Sequence, residues 1–123
     1  MIRYLVLSTL VLIVGCGKPY SACKPGEIYS ISAGTSRPGQ YMVCKVLEID
    51  EHGLWAAVYR DVFDHRPTGE EALGPSLWIP MVFDGEVWSK SQSQRVNFVP
   101  PTQEELDHLA RERPKLLKLR GPR

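Results

Sequence analysis

The sequence lacks the features that mark several large classes of protein. Its 123 residues leave no room for a multidomain enzyme. The 15 Lys and Arg side chains are nearly balanced by 14 Asp and Glu side chains, and this net charge of +1 argues against a nucleic-acid-binding protein that depends on overall basicity. Three cysteines are too few for a fold built around many disulfides. With 43% hydrophobic and 24% charged residues, the composition is that of a globular domain.

The short motifs of common catalytic sites are missing as well. The sequence contains no Gly-x-Ser-x-Gly and no Gly-x-x-x-x-Gly-Lys-Ser/Thr, so it indicates neither a hydrolase nucleophile elbow nor a phosphate-binding loop. The three histidines form no His-x-x-x-His pattern, and no Cys-x-x-Cys is present, which leaves no spacing typical of a zinc or redox centre. We therefore predict no cofactor, and we favour a protein that is not an enzyme.

What the sequence does contain begins with an export signal. Arg3 is followed by an apolar run over residues 4–14 in which only Ser8 and Thr9 are polar. As a helix this run reaches about 16 Å, roughly half of the ~30 Å hydrocarbon core, so it is too short to span a membrane comfortably. A positive start and an apolar stretch of this length are typical of a secretory signal peptide.

The apolar run ends in Ile13-Val14-Gly15-Cys16, which resembles the lipobox of bacterial lipoproteins, although Leu is more usual than Ile at the first position. The resemblance implies that the Cys16 thiol receives a diacylglycerol and that the chain is cleaved before this residue. Several acyl chains hold a protein firmly on a membrane, whereas one anchors it only reversibly. The resemblance also implies a cell-envelope protein, and Gly17 in place of an acidic residue favours the periplasmic face of the outer membrane if the cell has two membranes. The alternative is an ordinary signal peptide that is cleaved elsewhere.

Two further cysteines, Cys23 and Cys44, follow the lipobox. Export places them in an oxidising compartment, where a pair of thiols usually becomes a disulfide. Such a bond would close a loop of about 20 residues and contribute roughly 3 kcal/mol of stability. We predict this disulfide, with two unpaired buried thiols as the alternative.

The remaining chain is predicted to be a mainly β domain with a small antiparallel curled sheet or a partly open barrel and one C-terminal helix. Apolar patterns between Gly- and Pro-rich turns predict strands at residues 27–32, 40–50, 54–59, 77–83, 86–89 and 95–99. Pro80 demotes its strand to an edge or a bulged strand. Thr102 and Glu105 match a capping box that opens the helix, and Pro114 is expected to end it.

Residues 40–50 have apolar side chains on both faces, which indicates a central strand. Simple alternation places Ile49 on the face of Val43 and Leu47, and it places Glu48 on the opposite face. The whole chain is divided into a signal peptide (1–15), a tether (16–26), a β domain with its terminal helix (27–113) and a basic tail (114–123).

One loop carries the densest group of catalytic residue types. Asp61, Asp64 and His65 lie within five positions and are candidates to hold a divalent ion or to supply a general base. A solvated loop of charged residues is the simpler interpretation.

The aromatic residues are the better indication of binding, because large aromatics exposed on a sheet stack on sugars or pack against peptides. Trp55 and Trp78 are expected to be core residues. Trp88, which is followed by the polar segment 89–94, is expected to face solvent, and it is a candidate ligand contact together with Tyr59.

The charge is unevenly distributed along the chain. Residues 16–110 hold 8 basic and 13 acidic side chains, a balance of −5, whereas residues 111–123 hold 6 basic and 1 acidic, a balance of +5. Lys115, Lys118 and Arg120, interleaved with leucines, are candidates to contact an anionic membrane surface or an acidic partner. A solvated tail is the alternative.

These features together predict a lipid-anchored envelope protein that binds an envelope protein or a cell-wall ligand and does not bind nucleic acid. The second hypothesis is a small envelope hydrolase or metal-dependent enzyme that uses Asp61, Asp64 and His65. The third is an inhibitor or immunity-type protein that neutralises an enzyme.

Overall fold

Five strands form one antiparallel sheet in the order β4-β3-β2-β1-β5, as seen in a computed structural model that describes residues 20–121. The elements are β1 (Glu27–Ser32), β2 (Tyr41–Asp50), β3 (Gly53–Tyr59), β4 (Trp78–Phe83), α1 (Gly85–Lys90), β5 (Gln94–Phe98) and α2 (Gln103–Arg120), with one 3-10 turn at Glu71–Leu73. The predicted mainly β domain with an antiparallel sheet and a C-terminal helix is confirmed. The sheet is not closed into a barrel, and β4, which contains Pro80, is one of its edges in the described chain.

β2 is a central strand, as its two apolar faces predict, but its alternation changes at a β-bulge. The pairing register with β3 shifts between Val46 and Glu48. A bulge adds one residue to one strand, so every side chain after it changes face. Ile49 therefore packs on the cluster that contains Cys44, and Glu48 reaches toward α2 instead, where it pairs with Arg113 at 2.7 Å. The expected placement of Ile49 and Glu48 was wrong for this reason.

α2 covers one face of the sheet, which we call the α2 face. Its predicted capping box is present: Thr102 Oγ1 accepts from the Glu105 amide at 3.1 Å, and Glu105 Oε1 accepts from the Thr102 amide at 2.8 Å. Leu109 is fully buried in a cluster with Trp55. Trp55 is thus a core residue, as predicted.

A buried ion pair fixes the first turn of α2 to the centre of the sheet. Lys45 on β2 is only 3% exposed, and its Nζ lies 2.8 Å from Glu105 Oε1 and 3.1 Å from the carbonyl oxygen of Pro100. Because Glu105 also closes the capping box, one carboxylate joins the helix start to the strand beneath it.

The expected end of the helix at Pro114 was wrong, because α2 continues to Arg120. A proline inside a helix loses one backbone hydrogen bond and strains the preceding turn, at a cost of about 3 kcal/mol. Contacts beyond the proline offset that cost: Leu116 and Leu117 pack on the α2-face cluster, and Arg120 donates to the His52 carbonyl oxygen at 2.9 Å.

The opposite face of the sheet, which we call the α1 face, is covered partly by Tyr20 and by α1. Residues 86–89 were expected to form a strand, and this was wrong. The Asp84 side chain accepts from the Val87 amide at 2.8 Å and caps a six-residue helix, which turns Trp88 onto the sheet.

Candidate functional site

The predicted lipidation site, Cys16, lies outside the described residues 20–121. Between Tyr20 and Gly121, no helix combines the length and the apolar character needed to cross a membrane.

Trp88 does not face solvent. It is 3% exposed, and its ring packs edge-on against Tyr29 and Phe83 with ring centroids 5.2 and 5.4 Å apart. The polar segment that follows it misled the sequence-based expectation, because α1 buries the ring while its neighbours Val87 and Ser89 remain exposed. As a core residue, Trp88 no longer supports the proposed ligand contact.

The helix that carries Trp88 does border an open cleft. The cleft encloses about 560 Å³ between α1 and the β1–β2 loop, residues 33–40. Ile31 and Phe83, both buried, contribute to its floor, and Val87 lines its side. Thr35 and Lys90 are among its polar lining residues. This arrangement, an apolar floor beneath a few polar groups, is the usual form of a ligand site.

The walls of the cleft are held by hydrogen bonds to the sheet. The Ser32 amide donates to the Ser91 carbonyl oxygen at 2.8 Å, which ties the segment after α1 to β1. Gln92 has a φ of 55°, in the left-handed region that only glycine adopts freely. Its carbonyl oxygen accepts from Arg66 Nη1 at 2.9 Å, and the same nitrogen donates to Ser30 Oγ at 2.9 Å. Arg66 therefore holds a strained residue at the cleft rim.

A smaller recess lies on the α2 face at the start of β4. It encloses about 380 Å³, and its lining includes Trp78, Glu104, His108 and Arg111. The Trp78 and His108 rings meet edge-on at 4.9 Å. Trp78 was expected to be a core residue. It is only partly buried, and it packs against the α2-face cluster from outside.

Tyr59, the second predicted ligand contact, is partly buried and is paired with Trp78 across β3 and β4. Burial raises the pKa of its hydroxyl, and the neighbouring Glu105 carboxylate raises the pKa further. Tyr59 packs on the α2 face, whereas the cleft lies on the α1 face, so the structure does not bring Tyr59 and Trp88 into one site.

The predicted acidic group assembles differently from the expectation. His65 Nδ1 lies 2.8 Å from Asp64 Oδ1, and His65 Nε2 lies 3.0 Å from Glu71 Oε2, while Asp61 takes no part in these contacts. The hydrogen bond to Asp64, and to a smaller extent the one to Glu71, raises the pKa of the exposed His65 imidazole. Both ring nitrogens are occupied, and no three such side chains converge as metal ligands anywhere in the described chain. The contacts of these residues therefore fit the simpler interpretation, a loop of charged side chains that pair with one another.

Cys23 and Cys44 are free thiols in the structure, and both belong to the α1-face core, where Cys44 is fully buried. Burial, and to a smaller extent Cys23, raises the pKa of Cys44 to about 12. Burial also raises the pKa of Cys23, whose Sγ lies 3.3 Å from the Tyr29 hydroxyl oxygen. Neither thiol has the lowered pKa of a reactive cysteine. The predicted disulfide stays a prediction.

The predicted basic contacts lie on the last turns of α2. Lys118 is exposed, Lys115 pairs with Glu112 at 3.2 Å, and Arg120 is engaged with the backbone of His52. The segment expected as a tail from residue 114 is thus a docked helix as far as Arg120.

Sequence reasoning missed the residues that build the cleft. The β1–β2 loop was recognised only as a Gly- and Pro-rich turn, and nothing in its sequence shows which face of the sheet it approaches. The signal that was available is Asp84 three residues before Val87, because an aspartate at this spacing is a helix N-cap pattern.

Comparison of the chain with protein-family models, with curated proteins and with solved structures gives no match.

Proposed function

We propose that this chain is a lipid-anchored bacterial cell-envelope protein that acts as a non-enzymatic binding module. Its ligand site is the cleft between α1 and the β1–β2 loop. The observation that carries the proposal is this cleft of about 560 Å³, with Ile31 and Phe83 in its floor. The anchoring part of the proposal comes from the resemblance of residues 13–16 to a lipobox.

The chemistry of the cleft favours a ligand with an apolar part and a polar or anionic part. Its floor provides apolar contact, and Lys90 on its side is largely exposed, so the ammonium group is available although it also lies 3.0 Å from Glu86. Exposed pairs of this kind are worth well under 1 kcal/mol, so an anionic ligand can displace the carboxylate. A side chain or backbone segment of an envelope protein, or a cell-wall peptide, meets these requirements.

The anchor is tested by mass spectrometry of the protein purified from the membranes of its native host. We expect a chain that starts at Cys16 and carries the mass of a diacylglycerol-derived modification. An unmodified chain that starts at another residue contradicts this part of the proposal.

The cleft is tested by photo-crosslinking in intact host cells. We expect a crosslinker at Thr35, which lines the cleft, to give a discrete adduct, and we expect Lys90→Glu to weaken it. A crosslinker at Val62, which is exposed on the β3–β4 loop and does not line the cleft, is the control. Equal adducts at both positions, or none at Thr35, contradict a ligand site in the cleft.

A further inference from the structure

The first described residue and the end of α2 meet at one end of the molecule. Tyr20 and Arg120 line the same recess of about 240 Å³, together with Glu51 and His52 of the β2–β3 turn and Asp84. We call this end the Tyr20 pole. Tyr20 is 7% exposed and packs in the core, so its contacts hold the start of the described chain at this pole.

Cys16 precedes Tyr20 by four residues. A fully extended chain covers at most about 3.6 Å per residue, so a connection of this length reaches no more than about 14 Å from Tyr20. A lipid on Cys16 therefore enters the membrane close to the Tyr20 pole.

The charges of α2 are separated along its axis with respect to this pole. Glu104 and Asp107 are exposed near its start, whereas Lys115 and Lys118 are exposed near its end. At 1.5 Å per residue, Glu104 and Lys118 are about 21 Å apart along the helix, more than two Debye lengths at physiological salt. The positive end of α2 thus lies at the Tyr20 pole, and the negative end is well away from it.

Exposed apolar side chains accompany these lysines. Leu119 is 84% exposed, and it lines a shallow depression with Met81 and Val87, which are 39% and 51% exposed. Val87 also borders the ligand cleft on its other side. Lysines beside exposed apolar groups are the combination that binds the interface of an anionic bilayer.

We propose that the end of α2 docks on the anionic membrane surface, with Lys115 and Lys118 at lipid phosphates and Leu119 and Met81 at the level of the headgroups. This inference rests on the proposed anchoring at Cys16, which brings the surface into reach. The β1–β2 loop joins β2 at Tyr41, at the opposite end of this strand from the β2–β3 turn, which belongs to the Tyr20 pole.

The experiment replaces the natural anchor with an artificial one. The chain from residue 16 onward, with Cys16→Ser and an N-terminal histidine tag, is bound to nickel-chelating lipid in nanodiscs that also contain spin-labelled headgroups. Broadening of the Leu119 and Leu77 methyl signals is then measured by NMR. Leu77 is 69% exposed at the start of β4, at the other end of the strands, and serves as the comparison.

With phosphatidylglycerol nanodiscs we expect strong broadening at Leu119 and little at Leu77, and with phosphatidylcholine we expect the difference to disappear. Each lysine near the surface contributes about 1 kcal/mol, so Lys115→Gln with Lys118→Gln lowers the ratio of docked to undocked protein about 30-fold. The control pair, Arg37→Gln with Arg60→Gln, lies at the other end of the sheet and leaves the ratio within twofold. Glu51→Gln, which removes an acidic side chain at the pole, raises the ratio about fivefold.

Equal broadening at Leu119 and Leu77, or broadening that does not depend on anionic lipid, overturns the proposal and leaves an acidic protein as the partner of the lysines. Because the tether is artificial, this result does not bear on acylation of Cys16. An unacylated Cys16 in the native host contradicts the proposed anchoring without affecting the nanodisc measurement.

Discussion

Lys45 shows how a single residue connects the sequence to the tertiary structure. A lysine in the middle of a strand whose neighbours are apolar has no partner within its own element. Its ammonium group becomes stable only when α2 brings Glu105 to within 2.8 Å. Charges that are removed from water need such a partner, because an unpaired buried charge costs several kcal/mol.

We predict that Lys45→Met lowers the free energy of unfolding by about 3 kcal/mol, since it leaves the Glu105 carboxylate without its counter-charge in a buried position. Urea denaturation followed by circular dichroism measures this change. Lys90→Met is the matched control, because the Lys90–Glu86 pair has a similar distance of 3.0 Å but both side chains are exposed. We expect the control to change stability by less than about 0.5 kcal/mol. Similar losses in the two variants would contradict the role of burial.

Among the elements, α2 best separates local from tertiary effects. Its start was predictable, because the capping box needs only Thr102 and Glu105 at the right spacing. Its end was not, because the contacts that continue it past Pro114 come from the sheet. Leu116 and Leu117 pack on the α2-face cluster, and Arg120 donates to the His52 carbonyl oxygen at 2.9 Å.

We predict that Pro114→Ala raises the free energy of unfolding by about 1–3 kcal/mol, because alanine restores a donor to the Ala110 carbonyl oxygen and relieves the strained turn. Pro38→Ala in the exposed β1–β2 loop is the control. There we expect a loss of up to about 1 kcal/mol, because proline in a loop mainly restricts the unfolded chain. Thermal and urea unfolding measure whether each substitution raises or lowers the free energy of unfolding. A lower value for Pro114→Ala would contradict the prediction and would show that a bend at the proline is needed for Leu116 and Leu117 to pack on the sheet.

In the other elements too, some features follow from the local sequence and others depend on tertiary packing. β1 coincides with its predicted bounds, and β2–β5 lie within a residue or two of theirs, because apolar alternation and turns are local signals. The bulge between Val46 and Glu48 and the helix α1 were not predicted. Both depend on which side chains the sheet can bury, and alternation within one segment does not contain that information.

At the scale of the whole molecule, the two cysteines connect the N-terminal segment to the sheet. Cys23 precedes β1, and Cys44 is central in β2, yet both reach the same core cluster. We predict that the protein, purified without reductant from the cell envelope of its native host, contains a Cys23–Cys44 disulfide and that reduction lowers its free energy of unfolding by roughly 3 kcal/mol.

Thiol titration of the unfolded Cys16→Ser chain, before and after reduction, measures this bond directly. We expect no reactive thiol before reduction and two afterwards, and Cys23→Ala is expected to be insensitive to reductant in urea denaturation. Two reactive thiols in the unreduced, unfolded protein would contradict the disulfide.

The sequence by itself determined the mainly β class, the positions of most strands, the helix start and the separation of charge between residues 16–110 and 111–123. These depend on the spacing of side chains along one segment, which is a local property. Only the tertiary structure decided that Trp88 is buried, that the loop and α1 enclose a cleft, and that the end of α2 lies beside Tyr20. Each of these is a distance between residues far apart in sequence, and such distances are determined by how the elements pack.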